Sequence, residues 1–317
     1  MTASPGTDSA VFTRLDHLGL IAFSGPDARA FLHGQFTCDM NSLTPEHCRH
    51  GGYCTVKGRL LATFLVWQRE DAFQLQVSGS LREALQKQLS KFILRSKVKA
   101  SDVSAEHACI GVSGKGAADA LRRVLGTVPA APYEVRHITD ASIIKLPVER
   151  YEIMAAAAQV QAIEDALSKR ASAAPVEIWD WLDIHAGIPV ITPQTQDEFV
   201  PQMVNLDLLG GVSFTKGCYP GQEIVARMHY LGRLKQRMYL AHIAADVAPQ
   251  GGDKLYSARI GDQACGMVVR AARARGGGYD ALAVMQIDQA QDGNVHWRAA
   301  DGPVLRRLEL PYSVTAS

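Results

Sequence analysis

Cysteine is scarce in this chain, with six residues (Cys38, Cys48, Cys54, Cys109, Cys218 and Cys265) among 317. That density is too low for a disulfide framework, no two form C-x-x-C, and free thiols are expected. A charge excess is lacking too: 33 Lys plus Arg stand against 32 Asp plus Glu, a formal charge of +1. This balance implies no basic face over the whole molecule and predicts no direct nucleic-acid ligand. No run approaches 18 consecutive apolar residues, and the opening MTASPGTDSA has no basic segment followed by an apolar core. A membrane span and a signal peptide are therefore not expected, and the cytoplasm is the predicted compartment. What is present is ordinary globular composition, 47% hydrophobic and 21% charged. The length suits about two or three domains.

An internal repeat organises the first half. Ile21-Ala-Phe-Ser-Gly-Pro-Asp-Ala-Arg-Ala-Phe-Leu32 lies over Ile110-Gly-Val-Ser-Gly-Lys-Gly-Ala-Ala-Asp-Ala-Leu121 without a gap, with Ile, Ser, Gly, Ala and Leu coinciding. Each copy reads as a strand, a Ser-Gly turn and a helix, so Ser24-Gly25 and Ser113-Gly114 are structural turns in preference to phosphate loops. A second pair follows in the same order: Phe73–Val77 with a helix from Leu81, and Tyr151–Ala155 with a helix to Leu167. Leu61–Trp67 and Phe73–Val77, flanking Gln-Arg-Glu-Asp, predict an antiparallel hairpin. In the helix from Leu81, the residues Leu81, Ala84, Leu85, Leu89, Phe92 and Ile93 share one face, while Lys87, Lys91 and Arg95 lie off it as a solvated basic face.

The pattern predicts an α+β fold: two ferredoxin-like antiparallel α+β units, followed by a C-terminal small β-barrel. The units are placed at residues 1–104 and 105–230. The second takes in a helix over 176–186, opened near Pro175 and closed by Gly187. From 231 to 317, short runs at Arg237–Ile243, Ala264–Arg270, Tyr279–Ile287 and Pro303–Leu310, separated by Gly and Asp turns, predict the barrel.

Gly210–Arg227 is the densest unusual segment, GGVSFTKGCYPGQEIVAR. It reads as a strand-like run, broken at Gly217, Pro220 and Gly221, that resumes as a strand. Its glycines allow close backbone approach to a ligand. Lys216 stands two residues from Cys218, where an ammonium favours thiolate over thiol. Cys218 is then a nucleophile or a soft metal ligand; the alternative is a buried cysteine beside a Gly-Pro turn. A second group, His47, Cys48, His50 and Cys54, has zinc-ligating residue types but none of the familiar spacings, so no metal is predicted.

The string KGCYPGQE, with Val212-Ser-Phe214 before it and Val225-Ala-Arg227 after it, resembles the signature of the YgfZ family. These are folate-binding proteins linked to iron-sulfur clusters and related to the glycine-cleavage T-protein, an aminomethyltransferase. The resemblance also takes in Gly34-Gln-Phe-Thr-Cys-Asp39, Lys57-Gly-Arg59, Gly187-Ile-Pro189, Phe199-Val-Pro-Gln202 and Asn205-Leu206, and so covers nearly the whole chain. It implies two α+β units and a barrel in a T-protein-like ring, with reduced folate (tetrahydrofolate) in a central hole. Where the T-protein carries an Asp pair, this chain has Ala62 and Thr63, neither of which accepts a proton at neutral pH. The implied reading keeps the folate pocket and loses the aminomethyl chemistry.

Carried over residue by residue, the resemblance gives Cys218 and Lys216 as the working pair. Gln35, Thr37, Asp39, Lys57, Arg59, Gln202, Asn205, Tyr219, Gln222, Glu223 and Arg227 become the candidate folate contacts. Tyr219 is expected to stack on the pterin. Gln222 and Glu223 are expected to bond its amide edge or fix Lys216. Lys57, Arg59 and Arg227 are candidates for the glutamate tail, because Asp183, where these families often carry Arg, is expected to repel it. The function implied is support of iron-sulfur cluster assembly or repair in client enzymes, including those serving tRNA modification. The partners implied are those client enzymes or cluster-assembly proteins. Two rivals remain: a folate-dependent one-carbon (aminomethyl) transferase or demethylase using Asp39 or Glu223 as base, and a non-catalytic interaction scaffold.

Overall fold

Strands form where the apolar pattern is alternating or continuous, and three sheets result. The computed structural model describes residues 9–232 and 234–314. Two compact units divide the chain: one holds the residues up to His33, Asp39–His50 and Phe64–Trp179, and the other holds Gly34–Cys38, Gly51–Thr63 and the chain from Asp180 onward. Strands Cys48–Cys54 and Leu60–Arg69 carry the chain from one unit to the other.

In the first unit a six-stranded sheet runs in the order Ser172–Ala173, Val11–Arg14, His107–Ser113, Arg150–Ala156, Ala141–Leu146, Val135–Ile138. All of its pairs are antiparallel except that of Val11 with Ser172. Its apolar face, with Ile110, Val112, Tyr151 and Ile153, packs with Leu121 of helix Ala117–Leu125 and with Val160, Ile163 and Leu167 of helix Val160–Leu167. A second sheet takes the order Cys48–Cys54, Leu60–Arg69, Ala72–Ser78, Leu18–Ser24, Lys99–Asp102. The expected hairpin is there: Arg69 pairs with Ala72, and Glu70 makes the turn at φ 52°.

The repeated Ser-Gly elements are alike in detail. Gly25 and Gly114 both take positive φ, and in both copies the N–H three residues on (Ala28, Ala117) donates to the glycine carbonyl at 3.0 Å. Only glycine adopts this geometry cheaply, which is why the dipeptide recurs. Helix Gly79–Ser90 buries Leu81, Leu85 and Leu89 as expected but stops before Phe92, which is 46% exposed. A chain of tight turns over residues 91–96 takes over there, and the predicted apolar stripe ends one helical turn early.

The second unit carries a six-stranded sheet in the order His296–Trp297, Lys254–Tyr256, Ala264–Arg273, Tyr279–Gln286, Gln236–Ile243, Leu305–Leu308. It curls until its edges meet at the bridge His296–Val304, flanked by Trp297 N–H to Pro303 O and Leu305 N–H to Val295 O. Ala241, Val268, Ala283, Met285 and Trp297 fill its concave side. Helix Val176–His185 ends at Gly187, φ 68°, as the sequence predicts. Among the described residues no helix is long and apolar enough to cross a membrane.

Candidate functional site

Glycine and proline leave residues 212–220 without regular structure, and side chains do the work of holding them. Lys216 Nζ donates to the carbonyls of Phe36 (2.6 Å) and Cys38 (3.0 Å) and lies 5.0 Å from the Tyr219 ring centroid. Thr37, fully buried, ties three segments: its Oγ1 donates to Gly211 O (2.6 Å) and accepts from Gly52 N–H (2.8 Å), while its carbonyl accepts from Ser213 N–H. The sequence had offered Lys216 as a partner for the neighbouring thiol. The structure engages its ammonium with two backbone carbonyls, where it anchors the loop.

The strand expected after Gly221 is a helix, Gln222–Tyr230. Ile224 and Val225 carry β propensity, but Gly221 enters at φ 81° and only Val225 is buried, so local turn geometry overrides propensity. The strand-like run from Gly210 is likewise irregular. Gly221 also meets the turn that holds Lys57-Gly58-Arg59. A Cβ on Gly221 would stand 2.4 Å from Thr55 O and 2.5 Å from Gly58 Cα, and one on Gly58 (φ 73°) would stand 3.0 Å from Ile224 Cβ. Two glycine turns thus interlock backbone to backbone. Alanine at Gly221 is expected to cost roughly 2 to 4 kcal/mol, from the left-handed conformation plus the clash. Urea unfolding checks it, and a loss under about 0.5 kcal/mol would mean that the two turns part freely.

Around this frame the predicted residues separate by role. Cys218 is the one exposed cysteine of the six, all of them among the described residues. Burial pushes the thiols of Cys48, Cys54 and Cys265 above the ordinary cysteine value. Tyr219 is buried, and burial beside Cys54 and Cys38 pushes its phenol up. Gln222 Oε1 accepts from Tyr219 N–H, closing the turn. Glu223 and Arg227 form an exposed pair at 3.6 Å, of a kind that contributes little. Lys57 is exposed, and Arg59 reaches the carbonyls of Glu198 (2.5 Å) and Asp197 (3.4 Å).

Gln202 and Asn205 are buried and donate to Val225 O (2.7 Å) and Met238 O (2.8 Å). Gln202 Oε1, Asn205 Oδ1 and Gln35 Oε1 are buried acceptors without a hydrogen-bond partner. Asp39 belongs to the other unit, 3.2 Å from His33. Burial alone would raise its carboxyl, but hydrogen bonds from Asn41 and Ser42 and the nearby His33 hold it below the usual value.

Two further expectations meet the structure directly. Asp183 is not a bare negative charge, because Arg270 reaches it at 3.3 Å and also pairs with Asp180. Of the two residues that the resemblance sets against the T-protein carboxylates, Ala62 is buried, and Thr63 Oγ1 donates to Pro189 O (2.9 Å) and accepts from Ile191 N–H (3.1 Å). Among the described residues no group of three His, Cys, Asp or Glu side chains is placed to hold a metal. A cavity of about 260 Å³ in the first unit, lined by Arg14, Leu18, Arg82, His107 and Cys109 among others, contains none of the predicted contacts.

One cluster was missed. In the second unit Asp280 accepts from Trp181 Nε1 (2.8 Å), His185 (2.8 Å) and His242 (2.9 Å). These residues come from three elements separated by up to 99 positions, and only the cross-strand register of His242 with Asp280 would have hinted at it.

The geometry agrees with what comparison finds. The GCVT N-terminal domain family matches residues 7–137. The solved glycine cleavage system aminomethyltransferase T from Bartonella henselae superimposes with a TM-score of 0.80 at 15% identity, over 97% of this chain and 87% of that one, which shows the fold. Among curated relatives, the tRNA-modifying protein YgfZ of Edwardsiella ictaluri (strain 93-146) is 35% identical over 306 residues, and that of Sodalis glossinidius (strain morsitans) is 32% identical over 306. Each alignment covers 95% of this chain and 92% of the relative. With that identity along nearly its whole length, on a fold shared with an aminomethyltransferase, the chain belongs to the family of the tRNA-modifying protein YgfZ.

Proposed function

We propose that this chain is a cytoplasmic tetrahydrofolate-binding protein that supports assembly or repair of iron-sulfur clusters in enzymes of tRNA modification, with Cys218 as its working thiol. The observation that carries the reading is the contrast at the loop: Lys216 and Tyr219 on either side of Cys218 are hydrogen-bonded and Gly221 is locked against Gly58, while the Cys218 side chain alone among the cysteines is exposed. A reactive thiol needs access together with a fixed position. The role named for the relatives, tRNA modification, points to the clients.

Two sets of residues are of the kind that would suit a reduced folate. Pterin carries amino and ring N–H donors, and the partnerless oxygens of Gln35, Gln202 and Asn205 are acceptors of the matching kind. Lys57, Arg59 and Arg227 are exposed cations suited to carboxylates. When bound, the group would supply one-carbon chemistry. The transferase rival is not favoured, since Glu223 is an exposed surface residue, the Asp39 carboxyl is engaged by Asn41 and His33 and held below its usual value, and Ala62 and Thr63 offer no base. The matched strand, Ser-Gly and helix copies support reading the first two-thirds as duplicated ferredoxin-like units followed by a small barrel.

The test has two arms. In a bacterial strain lacking its own homologue, expression of this chain is expected to restore the tRNA nucleosides whose synthesis needs iron-sulfur enzymes, as read by mass spectrometry. Calorimetric titration with tetrahydrofolate is expected to show saturable heat, with stabilisation near 2.7 kcal/mol at about a hundredfold excess over Kd. Unrestored nucleosides would remove the supporting role. Absence of heat at millimolar folate would remove the ligand.

A further inference from the structure

The whole-chain charge of +1 conceals a local excess in the first unit. Between Lys87 and Lys99 lie Lys87, Lys91, Arg95, Lys97 and Lys99, and no Asp or Glu occurs from residue 84 to residue 101. All five side chains are exposed, and among the described residues none of the five forms an ion pair. Phe92 (46% exposed) and Leu94 (87% exposed) stand among them. The nearest acid after the run, Asp102, is already engaged by Arg82 at 2.8 Å. Lys87 and Lys91 also suit the negative end of helix Gly79–Ser90, but Arg95, Lys97 and Lys99 lie beyond it, so the helix dipole does not account for them.

The ridge is firmly built. Lys97 N–H donates to Asp27 Oδ2 at 2.7 Å, a Cβ on Gly25 would stand 2.2 Å from Lys97 O, and Gln86 Nε2 donates to Ala100 O at 3.0 Å. Strand Lys99–Asp102 pairs with Leu18–Ser24. The cations fall in two short runs that the Gln86–Ala100 bond brings side by side: Lys87 and Lys91 are one helical turn apart, with Cβ atoms about 5–6 Å from each other. Lys97 and Lys99 are two residues apart on extended chain, about 6.6 Å.

We propose that this ridge binds the phosphodiester backbone of a folded RNA, with Phe92 placed to stack on an unpaired base. A cluster of exposed cations with no acid within the run suits a polyanionic strand, and an exposed aromatic ring among them suits a base. An anionic membrane is a poorer match, because the apolar face of the helix, Leu81, Leu85 and Leu89, is buried in the protein and leaves no amphipathic surface to insert. The site lies on residues the thiol reading does not use, and it borrows from that reading only the choice of tRNA as probe. Locally, it replaces the expectation that balanced charge excludes nucleic acid.

The test is fluorescence anisotropy of labelled unmodified bulk bacterial tRNA with the full chain, with no folate present. Five phosphate contacts predict a log-log salt slope of about −3.5 to −4.5, which is roughly a 100- to 500-fold loss of affinity between 50 and 200 mM salt. The triple variant Lys87→Glu, Lys91→Glu, Lys97→Glu is expected to bind at least about 100-fold more weakly at 50 mM salt, and the corresponding alanine variant about tenfold more weakly. Phe92→Ala is expected to weaken binding about tenfold with the salt slope unchanged. The control Arg123→Glu, Lys169→Glu, Arg170→Glu makes the same change in net charge elsewhere on the surface and should stay within about fivefold.

Absence of binding at 50 mM salt, or an equal loss in the control, would overturn the site. Poly-glutamate bound as tightly as tRNA through the same residues would overturn it in favour of an acidic protein, and equally tight binding of vesicles with 30% phosphatidylserine would overturn it in favour of a lipid surface. None of these outcomes bears on restoration of nucleosides by the thiol, which is measured separately.

Discussion

Serine in place of Cys218 is expected to leave the fold intact and to abolish restoration of iron-sulfur-dependent tRNA nucleosides in the strain lacking the homologue. The side chain is exposed, and the loop is held by Lys216, Thr37 and the Gly58–Gly221 contact, none of which involves the sulfur. An exposed substitution of this kind changes stability by about 0.5 kcal/mol or less. Chemically the change is large, since a hydroxyl is neither a thiolate nucleophile nor a soft metal ligand at neutral pH. Iodoacetamide should label Cys218 in the native protein, while the other five, all buried, should react at least about a thousandfold more slowly because they wait for opening. Lys216→Met should give a milder defect: it releases the carbonyls of Phe36 and Cys38, which costs about 1–3 kcal/mol and loosens the loop. Full rescue by the serine variant, with native labelling no faster at Cys218 than at Cys48, would remove the thiol from the function.

What was legible in the sequence depended on how local its cause is. The Ser-Gly turns were legible because Gly25 and Gly114 need positive φ, a requirement that leaves the same residue in both copies. The hairpin at Glu70 and the strands of the curled sheet follow from short apolar runs separated by turn residues. Helix Gln222–Tyr230 was misread because Ile224 and Val225 carry β propensity and the turn at Gly221, φ 81°, that starts the helix was read as a break between strands. Phe92 was misread because an apolar residue in register with a helical stripe is assumed to be covered, yet the helix ends at Ser90. At the site, the motif located the loop, but not the hold of Lys216 on two carbonyls about 180 residues away in sequence. Non-local pairing of that kind leaves no periodic trace.

Alanine in place of Asp280 is expected to cost about 3–5 kcal/mol at pH 7. The residue is 5% exposed on strand Tyr279–Gln286, and its two oxygens collect three donors: Trp181 Nε1 and His185 on Oδ2, and His242 Nδ1 on Oδ1. Alanine leaves those N–H groups without an acceptor in a confined space, a penalty of about 1–3 kcal/mol for each that water does not reach. Asparagine keeps one accepting oxygen and should lose about half as much, separating the lost acceptor from the lost volume. The pH dependence has a definite sign. Burial alone would raise the carboxyl, but the hydrogen bonds from His185, His242 and Trp181 hold it below its ordinary value of 3.8. A carboxyl lowered on folding contributes stability that is complete above the unfolded pKa and is lost as pH falls through the folded one. The gap between parent and alanine variant should therefore be constant from pH 7 to about pH 5 as far as this carboxyl is concerned, and should narrow below about pH 4. Urea unfolding at pH 7, 5 and 3.5 reads it directly. A difference under about 1 kcal/mol at pH 7 would mean that water replaces the carboxylate, and a gap that widens on acidification would mean that Asp280 is protonated in the folded protein and acts as a donor.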